Sequence, residues 1–344
     1  MAATPVVREA GDTDAAPWAQ YVDAHSGASI FHDWKWRAIL REVFGHRPRY
    51  LIAEREGRIV GVLPLAEVRT ALFGHALVSL PFCSWAGPLQ DDRQAESALE
   101  HHAIALAESL GVDQLELRQL GPSHRDWPTQ DLYVAFMREI SGDHDENLNA
   151  IPRKQRAMVR KGIKAGLTGT IEDVDAFFPL YADNVHRHGT PPCSRRFFDA
   201  MQSAFGPQCE ILIVRDPQGT PLSGVLSLIH RNEVFPFYAG DTAAARHCAA
   251  NDFKYWEVMR RAADQGLRQF NYGRSKRGTG SFSFKKNWGF EPTALSYDFH
   301  LVRADSIPQN NPNNPKYRLM IEAWRRMPRW AVNRLGPLIV RGLG

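Results

Sequence analysis

The order of apolar and polar positions divides the chain into alternating strand-like and helical stretches. Residues 5–9 alternate as a short strand, and 14–24 and 33–44 carry helical spacing, with Trp34, Ile39, Leu40 and Val43 near one face. Residues 49–68 (RYLIAEREGRIVGVLPLAEV) contain two β-rich runs separated by Glu56-Gly57, which predicts a hairpin. A loop rich in aromatics and proline (80–89) leads to a helix over 92–110, for which Gly111 is the expected stop, and strands follow at 114–120 and 131–140.

The second half repeats a similar plan. A basic helix is expected over 152–165, opening at Pro152, where the missing N–H costs nothing. After it the pattern predicts a strand at 167–172, helices at 173–188 and 194–205, and strands at 209–216, 221–230 and 234–240, with a turn at Pro217-Gln218-Gly219-Thr220. A helix over 246–265 and strands at 268–273 and 294–302 complete a second mixed unit, and the Pro/Asn-rich 303–315 reads as a linker. Two α/β units of similar plan suggest a duplicated fold.

Composition narrows the class without naming a function. The 344 residues are 44% hydrophobic and 23% charged, enough for two cores. Cys83, Cys193, Cys209 and Cys248 have no metal-site spacing, so a reduced setting and no metal centre are expected. The N-terminus has no apolar leader and no run approaches about 18 apolar residues. A cytoplasmic protein, peripheral at the inner face of the cytoplasmic membrane at most, is the reading.

Charge alters the picture once it is resolved along the chain. Residues 151–167, 274–286 and 316–344 together carry +17, the rest of the chain carries −13, and the total is only +4. On the 152–165 helix, Arg153, Lys154, Arg156, Arg160, Lys161 and Lys164 share one arc, with Met158, Val159 and Ile163 expected on the packed side. Such a face suits phosphate, whether of a nucleotide-linked precursor, a lipid diphosphate carrier or tRNA; a solvated helix face is the bland alternative. In the tail, Tyr317, Met320, Trp324 and Met327 oppose Arg318, Arg325, Arg326 and Arg329. That pattern fits either peripheral membrane contact through 316–330 or docking on the protein's own body.

The strongest local signal is Asn271-Tyr272-Gly273-Arg274-Ser275, followed by Lys276-Arg277-Gly278-Thr279-Gly280 and Ser281-Phe282-Ser283-Phe284-Lys285-Lys286. A strand entering a Gly- and hydroxyl-rich turn at 273–280 places backbone N–H groups, Arg274 and a lysine near one strand end, a suitable place for an anion. Ser275, Lys276 and Thr279 belong to the same candidate site. His186 and His188 read as surface histidines, Trp85 as a core residue, and no Ser/His/Asp or Cys/His nucleophile pattern is present.

The run NYGRSKRGTGSFSFKKNWGFEPTALSY, together with IPRKQRAMVRKGI, FYAGDTAAARHCAANDFKYWEVMRRAADQG and the C-terminal NPKYRLMIEAWRRMPRW and LGPLIVRGLG, resembles the FemAB family. The resemblance is to the subgroup associated with PEP-CTERM/exosortase exopolysaccharide loci, and it covers essentially the whole chain. It implies an α/β (α+β) fold of tandem GNAT-like domains with mixed central sheets: 1–142, then 143–303, then a linker and basic amphipathic tail at 304–344. The implied activity is N-acyl transfer to an amine of a cell-envelope or exopolysaccharide precursor. Phe284 and Lys285 match the aromatic-lysine pair that stabilises charge during transfer, and Tyr238, Asp241, Asn251 and Tyr255 fall around the implied cleft. No tightly bound cofactor is expected, and the donor stays open between aminoacyl-tRNA and acyl-CoA. The 241–246 segment lacks the glycines of the CoA pyrophosphate loop, and no heptad-rich hairpin for tRNA is present. A CoA-dependent acetyltransferase and a non-catalytic glycan-binding module are the alternatives.

Overall fold

The computed structural model describes residues 3–307 and 322–342, and its chain divides into two compact units: Met1–Tyr133 with Ala294–Asn311 and Arg341–Gly344, and Val134–Thr293 with Pro312–Val340. The predicted tail residues Tyr317, Arg318 and Met320 lie outside the described residues.

In the first unit, strand β1 (Val6–Glu9), helices α1 (Ala15–Ala24) and α2 (Trp36–Phe44) and the hairpin β2 (Leu51–Arg55) and β3 (Arg58–Leu63) follow the predicted order. The hairpin closes at Glu56 and Gly57, both at positive φ (52° and 74°), as a two-residue turn that matches strand twist requires. Strands β4 (Ala66–Thr70) and β5 (Gly74–Val78) come next, and β5 was not evident from the pattern. Helix α3 (Arg93–Leu110) starts where the Asp92 side chain accepts from the Ala95 N–H and stops at Gly111, φ 59°. Strand β6 (Gln114–Leu120) runs parallel to β5. The core of this unit packs Leu99, Ala103 and Ala107 of α3 against Leu51, Leu77, Leu115 and Leu117. Trp85 is buried as expected.

The second unit begins with β7 (Tyr133–Glu139), the short helix α4 (His144–Ala150), α5 (Arg153–Lys164), β8 (Thr168–Glu172), α6 (Val174–His188) and α7 (Arg195–Phe205). Three antiparallel strands follow, β9 (Cys209–Arg215), β10 (Pro221–His230) and β11 (Glu233–Asp241), and then α8 (Ala250–Asp264), β12 (Gln269–Lys276) and α9 (Gly280–Asn287). The sheet of this unit runs β8-β9-β10-β11-β12-β7, antiparallel except for the parallel β11/β12 step among the registers described. Its core gathers Val134, Phe136, Val159, Trp256, Met259, Phe270, Tyr272, Trp288 and Phe290. Strand β13 (Pro292–Leu301) pairs antiparallel with β6 in the first unit, and helix α10 (Arg329–Val340) belongs to the second.

Two expectations are corrected by the packing. The buried seam of α5 is Gln155, Val159 and Gly162, not Met158, Val159 and Ile163; Ile163 is 48% exposed. Gly162 sets that seam, because a Cβ there would stand 2.7 Å from Phe253 Cβ, so only glycine lets α8 approach so closely. The helix expected from 246 begins at Ala250, after a short 3₁₀ turn at Ala244–Arg246. Of the two readings of the tail, docking on the protein's own body fits Trp324, which is buried at 8% exposure.

Candidate functional site

The geometry of the second unit turns on where β11 and β12 stop pairing. Their parallel register holds only for Glu233 with Gln269 and Val234 with Phe270. Beyond that point β11 carries Pro236, which has no N–H to give a neighbour, and the β10/β11 register shifts between Leu226 and Ser227, leaving Phe237 as the extra residue of a bulge. A proline and a bulge in succession turn the strand away from its parallel neighbour. Polar backbone freed in this way requires other partners.

Those partners are side chains. The Gly273 N–H donates to Asn271 Oδ1 at 2.8 Å. Lys285 Nζ donates to the carbonyls of Tyr272 (2.6 Å), Arg274 (2.9 Å) and Gly273 (3.3 Å). Three successive carbonyls converge on one ammonium because Gly273 takes φ +66°, breaking the alternation of an extended strand. A side chain at that position would also place its Cβ 2.7 Å from Phe235 Cζ.

Lys285 itself is 8% exposed and lies 5.8 Å from the Phe136 ring centroid and 6.0 Å from that of Tyr272. Burial, and after it the Arg274 charge, push its pKa down to about 7. The residue sits in the last turn of α9, a helix the sequence pattern missed. Thr279 caps it by accepting from the Phe282 N–H, so the turn predicted over 273–280 is confined to 277–279 and β12 continues to Lys276. Consequently the backbone at 272–274 offers carbonyls to Lys285 rather than N–H donors to an anion. A threonine three residues before the aromatic run was the available signal for the cap.

Tyr272 also belongs to a ring cluster with Tyr255, Phe284 and Trp288, whose centroids lie 4.9–6.4 Å apart in edge-to-face and tilted pairs. Tyr272 Oη is buried and has no hydrogen-bond partner among the described residues. Half-buried Arg274 and buried Ser275, whose Oγ lies 2.8 Å from Ser281 Oγ, follow on the same strand, with Lys276 after them. Asn251 is half-buried in the first turn of α8.

On the diverging strand, Tyr238 packs edge-on against Tyr181, Phe197 and Phe198. Asp241 ends β11 and is tightly held: its Oδ1 accepts from Lys254 Nζ at 2.8 Å and from Ser223 Oγ, and its carbonyl accepts from Arg187. Lys254 is fully buried and went unnoticed in the sequence, because α8 is enclosed on nearly all sides and has no apolar stripe against which a buried lysine stands out. Asp252, also buried on α8, accepts from Gln155 of α5 (3.1 Å) and from Trp288 (3.0 Å), and burial raises its carboxyl. Glu233, where the two strands still pair, accepts from Asn271 at 3.0 Å and is raised by burial to about 7.

The basic helix packs Val159 into the same core as Tyr272 and Trp288, and its cations face outward. Arg153, Lys154, Arg160, Lys161 and Lys164 are exposed, and half-buried Arg156 donates to Asn149. Gly289, just after α9, stands against Pro152 at the head of α5: a Cβ there would be 3.1 Å from Pro152 Cδ. His188 is exposed, and half-buried His186 lies 3.2 Å from the Trp324 carbonyl. In the first unit, the cluster of Glu96, Glu100 and His124 already holds a cation, since Arg125 donates to Glu100 (2.6 Å) and Glu96 (3.3 Å).

The family model described as an acetyltransferase (GNAT) domain matches residues 149–286, which span α5 through Lys285. Solved structures give the same fold over nearly the whole chain. The crystal structure of FemX is similar with a TM-score of 0.67 and 15% identity, covering 87% of this chain and 98% of that one. L-PGS from Bacillus licheniformis is similar at a TM-score of 0.55 and 11% identity (92% and 97% covered), and a tandem GNAT protein from the clavulanic acid biosynthesis pathway at 0.55 and 12% (86% and 98%). No curated protein matches the sequence. The chain therefore has an α+β fold of tandem GNAT-like domains with mixed central sheets.

Proposed function

We propose that the protein transfers an acyl or aminoacyl group to an amine of a cell-envelope or exopolysaccharide precursor, at the edge of β12 where β11 parts from it. The observation that carries this reading is the Lys285 ammonium, fixed by three carbonyls of β12 beside Arg274 and next to the rings of Phe136 and Tyr272. In acyl transfer the amine nitrogen attacks the acyl carbonyl carbon, and the carbonyl electron pair moves onto oxygen. Collapse then expels the donor's oxygen or sulfur, which takes up the proton released by nitrogen. A preset cation beside the transient oxyanion is worth about 3 kcal/mol by the precedent of oxyanion donors. The 3.3 Å contact to Gly273 O is the longest of the three that Lys285 makes, and is the one an oxyanion would take over.

Arg274 and the exposed cations of α5 supply charge for the phosphates of a nucleotide- or lipid-linked substrate. Similarity to the structure of a domain of a putative lysylphosphatidylglycerol synthetase from Agrobacterium fabrum favours an aminoacyl group and a lipid-linked acceptor. The PEP-CTERM/exosortase setting stays part of the proposal through its sequence resemblance.

A second donor, acyl-CoA, is favoured by one feature. Helix α8 follows β11 after the 3₁₀ turn at Ala244–Arg246 and begins with no side-chain N-cap, and a helix start of that kind suits a phosphate. Thermal stabilisation separates the two donors: a rise in Tm with acetyl-CoA and none with aminoacyl-tRNA selects the CoA reading, and the reverse selects the other.

A further inference from the structure

Helix α10 docks on its unit chiefly through Val332, Gly336 and Val340. Gly336 stands so close to Pro192 that a Cβ there would be 2.5 Å from Pro192 Cδ, and Val332 and Val340 are buried beside it, with Ala331 buried further round the helix. Arg329 pairs with Asp183 of α6. The opposite side carries Trp330 at 73% exposure, Leu338 at 63% and Leu335 at 43%, with exposed Arg334 between them on the helical wheel. Three large apolar side chains on one short helix are costly to leave in water and are unusual in such concentration.

We propose that this face of α10 seats the protein on an anionic lipid surface. Over residues 322–340 the only charged residues are one glutamate, Glu322, and four arginines, Arg325, Arg326, Arg329 and Arg334, all exposed. Trp330 and the two leucines have the size and amphipathy to enter the headgroup and upper acyl region, and Arg334 among them, with exposed Arg326, matches phosphate there, whereas Arg325 and Arg329 are held by His188 and Asp183. Twelve residues rise about 18 Å along the helix axis, too short to span a bilayer but long enough to lie in its surface. A second copy of the chain is the poorer occupant, because a two-fold contact through this face would bring like arginines together. The surface stands independently of the transfer chemistry, since it uses none of the residues around Lys285. Relative to the tail pattern, the lipid-facing residues move C-terminal to the buried Trp324.

The test is cosedimentation of the full chain with vesicles of phosphatidylcholine alone and of equal parts phosphatidylcholine and phosphatidylglycerol. Wild-type protein should pellet with the anionic vesicles, release in high salt, and bind the neutral ones at least about tenfold more weakly. Trp330→Ser with Leu338→Ser should lower anionic-vesicle binding about tenfold or more with an unchanged melting temperature, and Arg326→Gln with Arg334→Gln should weaken it and flatten the salt dependence. Wild-type protein that stays in solution, or a Trp330/Leu338 variant that binds as tightly as wild type, overturns the proposal. So does a concentration-dependent dimer that disappears in that variant, which would assign the face to a second copy.

Discussion

Lys254 Nζ lies 2.8 Å from Asp241 Oδ1, and the lysine has no solvent exposure while the aspartate side chain keeps 26%. The pair joins the second turn of α8 to the end of β11, so the last residue of the diverging strand is fixed by a charge that cannot reach water. Removing one partner strands the other.

Asp241→Ala should therefore destabilise the protein by about 3 kcal/mol or more, since it leaves the Lys254 ammonium buried with the Tyr255 ring, 4.9 Å away, as its remaining cation partner among the described contacts. Lys254→Met in the same chain should recover part of the loss. Urea unfolding measures both, and a single Asp241→Ala variant within about 1 kcal/mol of wild type contradicts the role given to the pair.

Gly273→Ala should cost about 2 kcal/mol or more. The alanine has to adopt φ +66° and set its Cβ against Phe235, and either demand alone is unfavourable. Phe235→Leu should relieve the second demand and not the first, so partial rescue in equilibrium unfolding is the expected result.

Glu233 gives a stability signature with a defined sign. Its carboxyl is raised from 4.5 to about 7 by burial, so the folded state holds a proton that the unfolded state has lost between those values. Stability from this group is full below about pH 4.5 and falls as pH rises to about 7. Glu233→Gln, which can still accept from Asn271, should remove that slope. An unaltered slope in the glutamine variant would assign the pH dependence elsewhere.

Lys285 titrates in the opposite sense. Its folded pKa of about 7 lies below the usual 10.5, so the folded state disfavours the proton and stability from this group rises with pH across that interval. Transfer that requires the ammonium should fall as pH rises through about 7. A kcat profile flat from pH 6 to 9 would show that the protonated form is not needed.

Much of the fold was legible because its boundaries are marked by local chemistry. Asp92 and Gly111 delimit α3, Glu56-Gly57 closes the β2/β3 hairpin, and β6 spans the predicted residues. The misses share a cause, namely that tertiary contacts decided them. Gly162 moved the packed seam of α5, and the tight approach of α8 that it permits was invisible without the neighbour. Helix α9 was hidden in a run of glycine, serine and lysine because its mean pattern is neither apolar nor periodic, although Thr279 capped it. At the site, Phe284 and Lys285 came from resemblance and Arg274 from local charge. Lys254, Asp252 and Glu233 were missed because a charged residue in sequence gives no sign of being enclosed.

Acyl transfer at Lys285 is tested most directly by the rate of amide formation by Lys285→Met against wild type. The full chain is supplied separately with acetyl-CoA and with an aminoacyl-tRNA, over a panel of amine-bearing lipid-linked sugars and peptides, and product is followed by mass spectrometry. Melting curves accompany each variant, because the lysine also satisfies three carbonyls. Wild-type protein should form an amide from one donor class, and a folded Lys285→Met should lose about 10²-fold in kcat with KM changed only a few-fold. No amide from either donor, or equal turnover by the methionine variant, would contradict the assignment of acyl transfer to the edge of β12.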